Sequence, residues 1–201
     1  MQARLIRAQK PIKLENTTVL VLGDGMSLLD DLERFLAWRV AHDVAAIGRS
    51  IKQYPDRVQH WFNADGECAG HWAKNLPNGE GTIKHTLGEI DGFDCDWEIE
   101  QPDYNYERIT GERDRLHGSS AIFATLACLA MGYRSIVLAG CPMDCGGHWY
   151  YAEHLDSFGP IWLGMDLMVW IDFAQSEDAE CVRSMSGYTA KILGEATKSW
   201  L

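Results

Sequence analysis

Hydrophobic residues arrive as short continuous runs and helical stripes, alternating over the first third of the chain and again over its second half. Thr18 to Leu22 is an unbroken β-rich run, as expected of a parallel strand buried on both faces. From Ser27 to Ala41 the apolar residues fall at Leu28, Leu29, Leu32, Phe35, Leu36 and Val40, which is one face of a helix. Asp30, Asp31 and Glu33 stand near its start, where the helix dipole favours acidic groups. Asp43 to Ile47 reads as a second strand ending at Gly48-Arg49-Ser50, and Arg57 to Asn63 as a third ending at Asn63-Ala64-Asp65-Gly66. Residues 1–16 read as an extended lead-in.

Residues 67–117 break the pattern. Glycine, aspartate and tryptophan are frequent there and no helical period persists, so the segment reads as an irregular insertion over one edge of the sheet. Two fragments in it, Gly81 to His85 and Phe93 to Trp97, have the composition of short strands. Regularity returns at Gly118-Ser119-Ser120. A helix follows from Ala121 to Met131, closed by Gly132, and then an apolar strand from Arg134 to Ala139 that ends at Gly140-Cys141-Pro142-Met143-Asp144. A helix over Pro160 to Ala174, a strand over Glu180 to Ser184 and a short helix over Gly187 to Leu193 complete the chain. The alternation predicts one α/β domain over 1–201, a Rossmann-like, mostly parallel sheet with helices on both faces.

Composition narrows the function. A chain of 201 residues buries roughly 70% of its unfolded surface and needs no metal or disulfide to fold. A net charge of −11 argues against nucleic acid and against an anionic membrane surface as partners. No apolar run approaches the ~20 residues of a membrane span, and the first ten residues lack the apolar core of a secretory signal. The expectation is a cytoplasmic protein whose six cysteines stay reduced. Eight tryptophans suit a ligand cleft, an interface or simple packing.

Ligands of open parallel sheets bind outside the carboxyl ends of the strands. Four such ends are nameable here: Gly23-Asp24-Gly25, Gly48-Arg49-Ser50, Asn63 to Asp65, and Gly140 to Asp144. A strand, a glycine turn and a helix start at Gly23 to Ser27 form a standard anion site. Position 28 is leucine rather than the third glycine of the dinucleotide fingerprint, and the P-loop lysine is absent, so NAD and ATP sites of the usual kind are disfavoured. Ser27 is placed to cap the helix or to touch a ligand oxygen. Asp24 would repel a phosphate unless it meets a ribose hydroxyl, a metal or Arg49. Gly118-Ser119-Ser120 opens a second helix and offers a second anion or ribose contact, or an N-cap.

His148 and His154 follow the strand end at Asp144. Either has a pKa suited to a general base for a hydroxyl nucleophile, and either reads equally as a loop histidine. Cys141, Cys145 and His148, with Cys68 and His71, lack the paired spacing of a zinc site. The acidic and aromatic stretch 93–106 reads as a sugar-contacting surface or a solvated insertion.

Val19 to Leu28, Val-Leu-Val-Leu-Gly-Asp-Gly-Met-Ser-Leu, resembles the Gly-Asn-Gly-Pro-Ser-Leu loop of the bacterial sialyltransferase-like superfamily. Gly118 to Ala124, followed by Met131-Gly-Tyr and the strand to Asp144, resembles its second signature. The superfamily includes CMP-sialic acid transferases, a group related to flagellin-glycosylation proteins, and an archaeal pterin pyrophosphokinase. With Arg183-Ser-Met-Ser-Gly-Tyr188, the chain is also similar to short proteins carried by phages and prophages. The resemblance implies a nucleotide or nucleotide-sugar held between the two loops. Gly23, Asp24, Gly25, Ser27, Ser119 and Ser120 would face phosphate and ribose, and a histidine beyond the second strand would serve as base. It leaves two other readings standing: a non-catalytic phage protein for assembly or host interaction, and a pyrophosphokinase-type enzyme whose Asp24 and Asp144 hold Mg²⁺. Asp24 stands where the family has Asn, and Met26 where it has Pro.

Overall fold

In the computed structural model, residues 4–6, 12–63, 81–88, 90–100, 119–144, 146 and 160–201 are described. They contain strands β1 (Arg4–Ile6), β2 (Thr18–Leu22), β3 (Asp43–Ile47), β4 (His60–Asn63), β5 (Ile83–Leu87), β6 (Cys95–Glu100), β7 (Ser135–Ala139) and β8 (Val182–Ser184). The helices are α1 (Leu28–Leu36), α2 (Ser119–Met131), α3 (Pro160–Phe173) and α4 (Gly187–Leu193). The strands form one sheet in the order β1-β6-β5-β4-β3-β2-β7-β8. Strands β2 to β8 run parallel, and β1 pairs antiparallel with β6 at the edge. The fold is α/β and Rossmann-like.

The continuous apolar runs are buried because both faces of the sheet are covered. In β2, Val19 and Val21 face one core and Leu20 and Leu22 the other. The same alternation places Ile136 and Leu138 of β7 on the first side, and Val137 and Ala139 on the second. Helix α2 fills the first side, where Phe123 meets Phe62 edge-on at 5.4 Å. Helix α1 fills the second with Leu28, Leu32 and Phe35, each worth about 2 kcal/mol of burial. At the far end of α2, Gly132 adopts φ +100° and Tyr133 N donates to Cys128 O, a glycine-terminated C-cap.

Several boundaries move from the expected ones. Helix α1 stops at Leu36 rather than Ala41, because Trp38 N and Arg39 N tighten onto Phe35 O and Leu36 O and Arg39 turns to φ +55°. Trp38 and Val40 still pack on the core, which is why the apolar stripe outruns the helix. Strand β4 starts at His60, and β8 at Val182 after a 3₁₀ turn over Glu177–Cys181. The lead-in contains β1. Inside 67–117, the two strand-like fragments are β5 and β6, and they extend the parallel sheet outward from β4. Residues 67–80, 89 and 101–117 of that stretch lie outside the described residues.

Candidate functional site

The chain passes from β2 to β3 on one side of β2, while β7 lies on the other. The sheet order therefore reverses between β2 and β7, and the carboxyl ends of those two strands flank the crevice where such folds bind ligands. Gly23 to Ser27 and Gly140 to Asp144 are the two segments that leave this point. A helix entering a parallel strand runs back along the sheet, so α1 and α2 both begin at this carboxyl edge, on opposite faces. Ser119 is the first residue of α2, and Ser120 beside it is half-buried.

The two loops cross at backbone contact. Gly23 N donates to Ala139 O and Gly25 N donates to Gly140 O, both at 2.8 Å. A Cβ on Gly23 would lie 2.4 Å from Gly140 O, and one on Gly25 would lie 2.4 Å from Pro142 Cδ. The glycines of the first loop are thus required by the second loop, and their two amides are directed at protein carbonyls. As an anion cradle, the Gly23-Asp24-Gly25 turn keeps its position and lacks these two donors.

Asp24 is half-buried, and its Oδ2 lies against the end of β3, 3.1 Å from where a Cβ on Gly48 would stand. Gly48 takes φ +53° there and leads into a 3₁₀ turn over Gly48–Gln53 that carries the half-buried Arg49. Buried Ser50 ties this end to its neighbour by donating from Oγ toward Leu22 O and Ile47 O, each at 2.8 Å, while accepting from Ile47 N. Asn63, at the end of β4, is also buried. Asp144 is exposed and accepts from Gly146 N at 2.9 Å, capping its own loop. Met26, 46% exposed, stands at the mouth beside that loop.

The hub of the crossing is Asp31, which is only 1% exposed. Its Oδ2 accepts from Gly140 N at 3.0 Å, from Ser27 Oγ at 2.9 Å and from Ser186 Oγ at 2.6 Å. Ser27 is therefore held by a carboxylate, and this carboxylate joins α1, the β7 loop and the start of α4. Arg34 supports it from 3.8 Å and pairs with Glu195 at 2.8 Å. The sequence does carry a signal for this: Asp31 lies on the same helical face as Leu28, Leu32 and Phe35, inside the apolar stripe.

Cys141 is sealed under Gly23 and bonded to Ala139 O. Burial first, then the Asp31 and Asp24 carboxylates, push its thiol well up, which favours the protonated form. Among the described residues, no group of three or more His, Cys, Asp or Glu side chains is assembled for a metal. The described cysteines, Cys95, Cys128, Cys141 and Cys181, are free thiols. Gly118, His148 and His154 lie outside the described residues. No described helix is long and apolar enough to cross a membrane. Comparison with protein-family models, curated proteins and solved structures returned no match.

Proposed function

We propose that the crevice between β2 and β7 binds a nucleotide or nucleotide-sugar, and that the protein is glycosyltransferase-like, of the sialyltransferase-like kind. The observation that carries this reading is the sheet order, which reverses at the two loops that resemble that superfamily. In this reading Ser119 and Ser120 at the start of α2 meet phosphate or ribose, Arg49 neutralises phosphate charge, and Asp24 accepts from a ribose hydroxyl. His148 or His154 takes the acceptor's proton.

One observation favours a second reading, a non-catalytic phage or prophage protein that keeps the fold. Gly23 N and Gly25 N are directed at Ala139 O and Gly140 O, and a carboxylate sits between them in sequence. Calorimetric titration with CMP, UDP, GDP and ATP, with and without Mg²⁺, separates these. Binding of a pyrimidine nucleotide without metal supports the transferase-like reading. Binding only with Mg²⁺ moves the assignment to a pyrophosphokinase-type enzyme with Asp24 and Asp144 at the metal. Failure of all four nucleotides favours the non-catalytic protein.

A further inference from the structure

Beneath α2, far from the carboxyl edge, five buried side chains are joined end to end. Trp97 Nε1 donates to His85 Nδ1 at 3.0 Å. His85 Nε2 faces His60 Nδ1 at 3.0 Å, and His60 Nε2 faces Tyr133 Oη at 2.8 Å. Tyr133 Oη donates to Asp43 Oδ2 at 2.7 Å. The chain crosses β6, β5 and β4, and then reaches β3 through the turn after α2.

The two ends fix every proton between them. Indole N–H can only donate, so His85 Nδ1 must be a bare acceptor and its proton sits on Nε2. That proton points at His60 Nδ1, which places the His60 proton on Nε2, directed at Tyr133. Four links hold four protons, all pointing toward Asp43. The carboxylate end is closed too: Glu15 N and Asn16 N donate to its Oδ2, and Asn16 Nδ2 donates to its Oδ1 at 2.7 Å. A fifth proton on either histidine leaves one link with two donors face to face, and moving it between the two rings only moves the conflict to Trp97.

We propose that this chain is an acid-released latch that holds β4, β5 and β6 to the rest of the sheet. Uptake of one proton creates a donor–donor contact, which is relieved when the β4–β6 side parts from Tyr133 and Asp43 and water reaches the histidine rings. The groups facing His60 are Asp43 from β3, His85 from β5 and Tyr133 from the turn after α2. Arg57 precedes β4, and Glu15 lies ahead of β2. Cys128 of α2 stands behind Asp43 and Tyr133 and is a neutral thiol. Burial is the main cause that keeps His60 unprotonated down to about 4, and it holds His85 well below its ordinary value as well.

Backbone hydrogen exchange on the intact protein, followed from pH 7.5 to pH 4.5, tests the latch. The opening constant of β4–β6, corrected for intrinsic exchange, is expected to rise up to about a hundredfold per pH unit below 6.5, the slope of the two protons that His60 and His85 take up on opening, while β2 and β7 keep their protection. Replacing both histidines by non-titrating donor–acceptors (His60→Gln with His85→Gln) should flatten that slope. A second measurement needs no variant: ¹⁵N spectra at pH 7.5 should show both rings as neutral Nε2–H tautomers. Equal loss of protection in β2, β7 and β4–β6 at one pH would overturn the proposal. So would an unchanged slope in the folded double variant, or an Nδ1–H or charged ring at pH 7.5.

Discussion

Gly23 and Gly140 cross with their backbones in contact: a Cβ on Gly140 would lie 2.7 Å from Gly23 O, and one on Gly23 would lie 2.4 Å from Gly140 O. Neither position tolerates a side chain without parting the loops that follow β2 and β7. Gly23→Ala is expected to cost about 3 kcal/mol by urea denaturation, since the new methyl meets backbone and the Cys141 sulfur rather than a flexible side-chain end. Gly92→Ala is the control. Its φ of +89° is retained in open surroundings, so the expected loss is only about 1 kcal/mol of backbone strain.

Asp31 makes a second prediction. Asp31→Asn replaces an acceptor by an amide while Gly140 N, Ser27 and Ser186 still point at it. The expected cost is about 3 kcal/mol, with Ser186→Ala costing about 1 kcal/mol. Equal losses in the two variants would remove Asp31 as the hub.

The fold of this chain was legible where packing is simplest. The runs at Thr18 to Leu22, Asp43 to Ile47 and Arg134 to Ala139 are apolar because two covered faces demand it, and all three appear as central strands. Strands β5 and β6 were visible only as fragments, because His85 and Thr86 are polar yet fully buried, and only a partner across the sheet makes that burial favourable. Nothing in the spacing of Asp43, His60, His85, Trp97 and Tyr133 marks a chain, since its members meet across four strands and a turn. The Gly23 turn was legible as a loop at a strand end. Its role in admitting the β7 loop depends on a partner more than a hundred residues away.

The latch has a consequence for overall stability. His60 titrates at an ordinary 6.5 when unfolded and at about 4 when folded, so between these values the unfolded chain binds more protons. The His60 contribution is therefore complete above 6.5, declines as pH falls, and levels off near 4, having lost about 3 kcal/mol, and His85, also held well below its ordinary value, adds a loss of the same sign. Denaturant melts from pH 7.5 to 4 should follow this curve, and Tyr133→Phe should lower stability by about 2 kcal/mol at pH 7.5 by stranding His60 Nε2–H and one Asp43 contact.

If the proposed crevice holds a nucleotide, Asp24→Asn keeps an acceptor for the ribose hydroxyl but removes the charge that repels phosphate and should tighten CMP binding about tenfold, whereas Arg49→Ala should weaken it about tenfold. Calorimetry reads both, and two unchanged affinities would place the ligand elsewhere.

The proposed nucleotide site lies where β2 and β7 part. Titrating CMP into isotopically labelled protein and mapping backbone amide shifts tests it most directly. Shifts concentrated at Asp24 to Ser27, Arg49, Ser119, Ser120 and Asp144, with Trp97 and His85 unmoved, are the predicted result. Saturable shifts that spare these residues, or no shifts at millimolar CMP, would contradict it.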